Sequence, residues 1–146
     1  MSIFFIPFGL QAVAMFFDEF YFHRKRGLSL WERIGHPLDT MTVLSCYLFI
    51  FIATPNDTNL YIYIALCTFS CFFITKDEFI HTEACQASEN WLHAVLFVLH
   101  PVTFLSAGLI WINNLNPQFL AAQPVVTVLF MLYQILYWSP IWNKKK

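Results

Sequence analysis

The sequence predicts an all-α, polytopic membrane protein, a helical bundle of about five transmembrane helices. Its 146 residues are 58% hydrophobic and only 12% charged, which is more apolar than a soluble domain of this length tolerates. Five mainly apolar stretches are each close to the roughly 20 residues that a helix needs to cross a bilayer. Most charged residues lie in alternate links between these stretches, as expected for a chain that crosses a membrane repeatedly.

The five predicted spans are joined by links that alternate between long and short. In chain order the spans cover about 2–22, 36–53, 60–79, 91–112 and 119–138. The Asn-rich stretches 56–58 and 113–117 are predicted to be tight polar turns, whereas the links after the first and third spans are longer and rich in charge. The first 17 residues lack a basic segment, so we expect a retained helix, with a cleaved signal peptide as the alternative.

The basic residues predict how the chain is oriented in the membrane. They follow the first span, end the third and close the chain, at Arg24, Lys25, Arg26, Arg33, Lys76, Lys144, Lys145 and Lys146. Cytoplasmic links carry an excess of Lys and Arg. We therefore expect the N-terminus outside the membrane and the long links and C-terminus in the cytoplasm. The whole chain, 1–146, is predicted to form a single integral membrane domain.

A weak internal repeat is superimposed on these spans. Its paired positions, with their offsets, are Asp18-Glu19-Phe20 and Asp77-Glu78-Phe79 (59 residues), His23 and His81 (58), Glu32 and Glu89 (57), and His36 and His93 (57). Repeat 1 covers about 1–55, repeat 2 about 58–113, and an extra helix about 119–138. Two parallel-repeat helical hairpins are thus predicted to form a four-helix bundle about an axis along the membrane normal.

The repeated segments hold carboxylates and imidazoles that are not needed to orient the chain in the membrane. Residues four apart share a helix face, so each repeat presents a Glu-His pair together, and the helix before it contributes another glutamate. The predicted metal ligands are Glu19, His23, Glu32, His36, Glu78, His81, Glu89 and His93. Supporting groups or additional ligands are predicted at Asp18, Asp39, Asp77 and His100, because ionisable groups within a membrane are costly unless functional.

This ligand set resembles that of the ferritin-like dimetal proteins, which combine two glutamates with two Glu-His pairs. Here the Glu-His spacing is four residues where that class has three, and the sequence is membrane-spanning. The resemblance is therefore one of ligand chemistry and not of descent. It implies two transition-metal ions. Mixed carboxylate and imidazole ligands favour iron, with zinc or manganese as alternatives.

The predicted function is that of an integral membrane metalloprotein with a carboxylate–histidine dimetal site, with iron as first choice, at the cytoplasmic membrane boundary. We expect an oxidoreductase, or other metalloenzyme, that acts on a lipid-soluble substrate such as a lipid or quinone. Alternatives are a zinc-dependent lipid hydrolase, a transition-metal transporter or metal-handling protein, a haem-binding anchor and a plain assembly subunit. Membrane lipid is the expected partner, and nothing in the sequence predicts binding to nucleic acid. The four cysteines lack CxxC spacing and predict no disulfide framework.

Overall fold

The fold is described from a computed structural model, over residues 2–79 and 85–138. It contains five helices long and apolar enough to cross a membrane, and the described ranges contain no strand. The helices are α1 (Ile3–Arg26), α2 (Leu30–Ile52), α3 (Asp57–Asp77), α4 (Ala87–Ile112) and α5 (Pro117–Trp138). The prediction of an all-helical membrane protein with five spans is confirmed. The predicted ligand His81 and the C-terminal lysines lie outside the described residues.

Two of the helices begin earlier than the apolar pattern predicts. In α2 the Ser29 side chain accepts a hydrogen bond from the Glu32 backbone (3.3 Å), and Glu32 Oε2 accepts one from the Ser29 backbone (2.8 Å). In this capping box Ser29 is the N-cap, and the helix starts six residues before the predicted span. In α4 the N-cap is Gln86, and the helix starts four residues before the predicted span.

The helices pack against one another in an order that differs from their order along the chain. The most extensive packing joins α2 to α5, α1 to α4 and α2 to α3, with α3 also packed on α4. One end of the bundle, the charged end, holds Arg26, Glu32, Asp77 and Glu89. The other, the turn end, holds the links 53–56 and 113–116.

An aromatic core fills the bundle towards the turn end. Tyr63 donates its hydroxyl hydrogen to the Phe104 carbonyl (2.8 Å), and Trp111 donates its indole hydrogen to the Ala53 carbonyl (3.0 Å). Both aromatic side chains are buried. Large apolar side chains such as Ile52 and Phe72 cover the outside of the bundle instead, as a lipid-facing surface requires.

Candidate metal centre

A π-helical segment interrupts α1 where it reaches the charged end. The helix is α-helical over Ile6–Phe17, π-helical over Asp18–His23 and α-helical again over Arg24–Arg26. Glu19 and His23 are almost fully buried and Asp18 is partly buried. Because a π turn accommodates an extra residue, Asp18, Glu19 and His23 all have contacts inside the bundle.

The internal repeat carries a signal for this π segment. The offset between the repeats is 59 residues at Asp18 and 58 at His23, so the first repeat has one more residue between these positions than the second. A π segment is the usual way for a helix to absorb one inserted residue, and such segments occur frequently at functional sites. The shift in offset therefore identifies the segment, although periodicity alone favours a regular α-helix.

Six ligand-type residues at the charged end fall into two groups that share one histidine. Within each group, one ligand atom from every residue lies within 4.8 Å of the others. The first group is Asp18, His23, Glu89 and His93, and the second is Glu19, His23 and His36. The structure thus brings together five predicted ligands, and adds Asp18, predicted only as a supporting residue.

His23 lies between the two groups and faces a carboxylate on each side. Its Nδ1 lies 3.2 Å from Glu19 Oε2, and its Nε2 lies 3.3 Å from Asp18 Oδ2. The His36 ring stacks on the His23 ring with a centroid separation of 4.8 Å. On the far side of Asp18, His93 Nε2 lies 2.9 Å from Asp18 Oδ1. Imidazole nitrogens and carboxylate oxygens therefore alternate across the cluster.

Glu19 and Asp18 contact imidazole and indole groups and no Arg or Lys among the described residues. Trp138, at the end of α5, donates its indole hydrogen to Glu19 Oε1. The other described contacts of these two carboxylates are to His23 and His93. Burying a carboxylate without a counter-charge is costly. The two carboxylates therefore need positive charge from imidazolium or from a bound cation.

Arg26 binds two of the predicted ligands, Glu32 and Glu89. Its guanidinium donates to both oxygens of Glu32 (3.1 and 2.6 Å) and to Glu89 Oε1 (3.1 Å). Glu32 belongs to neither ligand group, since Arg26 and the Ser29 backbone bind its oxygens. Burial raises the pKa of the nearby Cys85 thiol to about 12, so this thiol is protonated at neutral pH.

Lys76 organises a second ionic network beside the cluster. Its ammonium group donates to both oxygens of Asp39 (2.7 and 2.8 Å) and to Asp77 Oδ2 (2.8 Å). Trp31 donates its indole hydrogen to Asp77 Oδ1 (2.7 Å). Asp39 and Asp77, predicted as supporting residues, thus have a resident cation. The predicted ligand Glu78 belongs to neither ligand group.

His100 lies deeper in the membrane span, away from both groups. Its Nε2 lies 3.1 Å from Ser70 Oγ, which lies 2.7 Å from Thr42 Oγ1, and its Nδ1 lies 3.4 Å from Gln11 Nε2. It is as buried as His93. His100 therefore provides a buried histidine outside the cluster against which the cluster histidines can be compared.

A cavity of about 420 Å³ connects the cluster with the middle of the bundle. Asp18, Glu19, His23, His36 and His93 line its charged end. Further along, its walls are mainly apolar side chains with a few polar ones, among them Phe8, Met15, Val43, Phe97, Thr103 and Thr127. Its volume is within the roughly 300–1,000 Å³ typical of small-molecule sites.

No family model matches this chain, and no curated protein or solved structure matches it.

Proposed function

We propose that this chain is an integral membrane metalloprotein that binds two transition-metal ions in the cluster at the charged end. The observation that carries the proposal is the pair of ligand groups that share His23 and lie within 4.8 Å internally. Carboxylate and imidazole ligands suit iron, zinc or manganese, and iron is our first choice. Asp18, Glu19, His23, His36, Glu89 and His93 would hold the ions.

The distribution of charge supports a bound cation. Arg26 balances Glu32 and Glu89, and Lys76 balances Asp39 and Asp77, but Asp18 and Glu19 have no such partner among the described residues. Divalent ions would stabilise the deprotonated carboxylates at a depth where water cannot. Arg26 then has a positioning role, because it holds the Glu89 carboxylate in place within the first ligand group.

Helix packing supports the predicted two-repeat bundle. Exchanging the α1–α2 segment with the α3–α4 segment maps the α1–α4 contact onto the α3–α2 contact, and both contacts are extensive. The other pair of related contacts differs, because α3 packs on α4 whereas α1 has no extensive contact with α2. The fifth helix packs mainly on α2 and lies outside this relation. The proposal therefore includes a four-helix bundle whose metal ligands come from α1, α2 and α4, with α5 as an added helix.

We propose an enzyme acting on a lipid-soluble substrate such as a lipid or quinone, because the cluster lines the cavity. Bound iron would supply redox chemistry, whereas bound zinc would activate water for hydrolysis. The chain's own contribution is to orient the ligands and to restrict water. The His36 ring stacks on His23, and Trp138 donates its indole hydrogen to Glu19, so both contacts hold the second ligand group in place.

Metal analysis of the purified protein tests the site. We expect about two iron, zinc or manganese ions per chain in the wild type, as in dimetal bundles. His23→Gln should lose most of this metal, because both groups share His23. The matched change His100→Gln removes a histidine of similar burial outside the cluster, and should retain the metal.

Two further measurements complete this test. Unfolding temperatures in detergent verify that each variant is folded, and Asp18→Asn provides a second cluster variant of similar volume. Wild-type protein from metal-replete cells that neither contains nor rebinds metal would refute the site. Protein that contains zinc and no iron would support the metal site, refute the oxidoreductase and favour the zinc-dependent hydrolase.

Metal transport is the second candidate function. It is favoured by polar groups that continue from the cluster into the cavity, such as Gln11, Thr40, His100 and Gln134. Towards the turn end, however, Phe119 packs against Phe8 (ring centroids 4.8 Å apart). Metal uptake into proteoliposomes at a rate above that of His23→Gln would favour transport over the enzyme.

A further inference from the structure

The five helices form a ring that is open at one side. In the order α1, α4, α3, α2, α5, each helix packs extensively against the next. The ring would close between α5 and α1, but their backbones have no extensive contact in the described structure. The cavity lies inside this ring, because α1, α2, α4 and α5 all contribute to its lining.

Side chains close the gap between α1 and α5 at both ends but not in the middle. Phe5 packs against Phe119 towards the turn end, with ring centroids 4.6 Å apart. At the charged end, Phe20 packs against Tyr133 with centroids 5.2 Å apart. The intervening part of the gap is bordered by Ala12, Phe16 and Val126, which line the cavity and are also exposed on the outer surface. The cavity therefore opens sideways, at a depth where the surroundings are lipid.

The cavity changes in polarity along its length. Carboxylates and imidazoles line the charged end, whereas the sideways opening is bordered by Ala12, Phe16 and Val126. Gln11 also lines the cavity, on the turn-end side of Ala12 and beside His100, and its buried Oε1 has no hydrogen-bond partner among the described residues. The Asp18 and Glu19 carboxylates at the charged end of the cavity are hydrogen-bond acceptors as well. A buried acceptor without a partner favours a ligand that donates a hydrogen bond.

The charge of the lining restricts the polar head of such a ligand. No Lys or Arg of the described chain lines the cavity, and Arg26 and Lys76 are bound to carboxylates elsewhere at the charged end. In the metal-free cavity, an anionic head would face Asp18 and Glu19 without a compensating Lys or Arg side chain. An uncharged head, such as an alcohol, avoids this repulsion.

We infer that the gap between α1 and α5 is a lateral entrance for a lipid with a single hydrocarbon chain and an uncharged, hydrogen-bond-donating head. The head lies towards the carboxylate–imidazole cluster and the chain extends through the gap into the bilayer. The volume of about 420 Å³ is in the lower part of the range for single-ligand sites, which favours one chain over two. As the identification of a substrate, this inference rests on the proposed function. Binding itself requires only the cavity.

Photolabelling tests the entrance directly. Full-length protein in phosphatidylcholine vesicles is irradiated with a hexadecanol analogue that carries a diazirine midway along its chain, and adducts are mapped by mass spectrometry. We expect adducts concentrated on α1 and α5 beside Ala12, Phe16 and Val126. Ala12→Trp and Val126→Trp should each reduce these adducts about tenfold, the effect of losing about 1.4 kcal/mol of binding.

Two matched variants control for the added indole. Ala65 and Val98 are exposed on α3 and α4, away from the gap, so Ala65→Trp and Val98→Trp should leave the labelling unchanged. Adducts spread evenly over exposed α3 and α4, or labelling insensitive to Ala12→Trp, would overturn the entrance. Stronger labelling by the ionised palmitic acid analogue than by the alcohol would overturn the uncharged head.

Metal analysis of the same samples separates this inference from the proposed function. Gap labelling in wild-type protein that binds no metal would refute the metal site and keep the lipid entrance. Absence of gap labelling in protein that holds its metal would refute the entrance and keep the metal site. Unfolding temperatures confirm that the tryptophan variants are folded.

Discussion

Arg26 and His23 lie one turn apart on α1 and have different roles in the cluster. The Arg26 side chain is 19% exposed and binds Glu32 and Glu89, whose side chains are 0% and 2% exposed. It is therefore the permanent counter-charge for two buried carboxylates. His23 instead faces the two carboxylates that have none, Asp18 and Glu19. Arg26 is expected to affect stability first, and His23 to affect metal binding first.

Removing Arg26 should destabilise the protein strongly. Arg26→Ala leaves two buried carboxylates without their cation, and breaking a buried ion pair from one side costs about 3–5 kcal/mol. Arg24→Ala is the matched control, because Arg24 is exposed and donates to the Tyr137 hydroxyl at the surface. We expect a large fall in the detergent unfolding temperature for Arg26→Ala and a small one for Arg24→Ala. Equal effects of the two changes would contradict the assignment of Arg26 as a buried clamp.

At the scale of the helices, close packing depends on glycine at one contact in particular. A Cβ added at Gly108 of α4 would lie 3.0 Å from the Tyr63 ring of α3. That ring is buried and tethered through its hydroxyl to Phe104, so it has little freedom to move. Small residues at such contacts let helices in a membrane approach closely.

Gly108→Ala and Gly9→Ala should therefore have opposite effects. Overpacking a buried contact costs about 1–3 kcal/mol, so Gly108→Ala should lower the unfolding temperature. Nothing lies within 4 Å of a Cβ built at Gly9, and replacing a glycine within a helix by alanine gains about 0.5–1 kcal/mol. Unfolding of both variants in the same detergent provides the comparison. A stable Gly108→Ala protein would show that α3 and α4 can separate without cost.

At the scale of the whole molecule, the orientation in the membrane is open to a direct test. Positive charge at the charged end predicts that this end faces the cytoplasm. Lys25 is exposed at the charged end and Gln118 is exposed near the turn end. Both positions accept a cysteine without loss of a buried contact, in a background whose four native cysteines are replaced by alanine.

Labelling of these two cysteines should depend on the side of the membrane. A membrane-impermeant maleimide added to sealed right-side-out vesicles should modify Gln118→Cys at once, and Lys25→Cys only after permeabilisation. The permeabilised sample also controls for the reactivity of each thiol. The reverse pattern would place the charged end outside, contrary to the positive-inside expectation.

Much of the candidate site could be predicted from the sequence, but the partners of each residue could not. Glu89 and His93, four residues apart on α4, lie in one group of possible ligands, as their spacing predicts for residues that share a helix face. Glu32 and His36 have the same spacing, but their side chains have different partners in the structure. Arg26 binds Glu32, while the His36 ring stacks on His23. A helical wheel reports which residues share a face. It does not report which cation another helix turn brings to that face.

The sequence by itself determines that this protein is a five-span helical membrane protein with its carboxylates and imidazoles gathered at one end. Hydropathy and charge are local properties, and each span and each repeated segment displays them without reference to the others. Only the tertiary structure decides that Asp18 lies in the first ligand group, that Arg26 binds Glu32, and that the ring of helices is open between α1 and α5. These features depend on the relative rotation and distance of separate helices, which are set by side-chain packing between residues far apart in the chain.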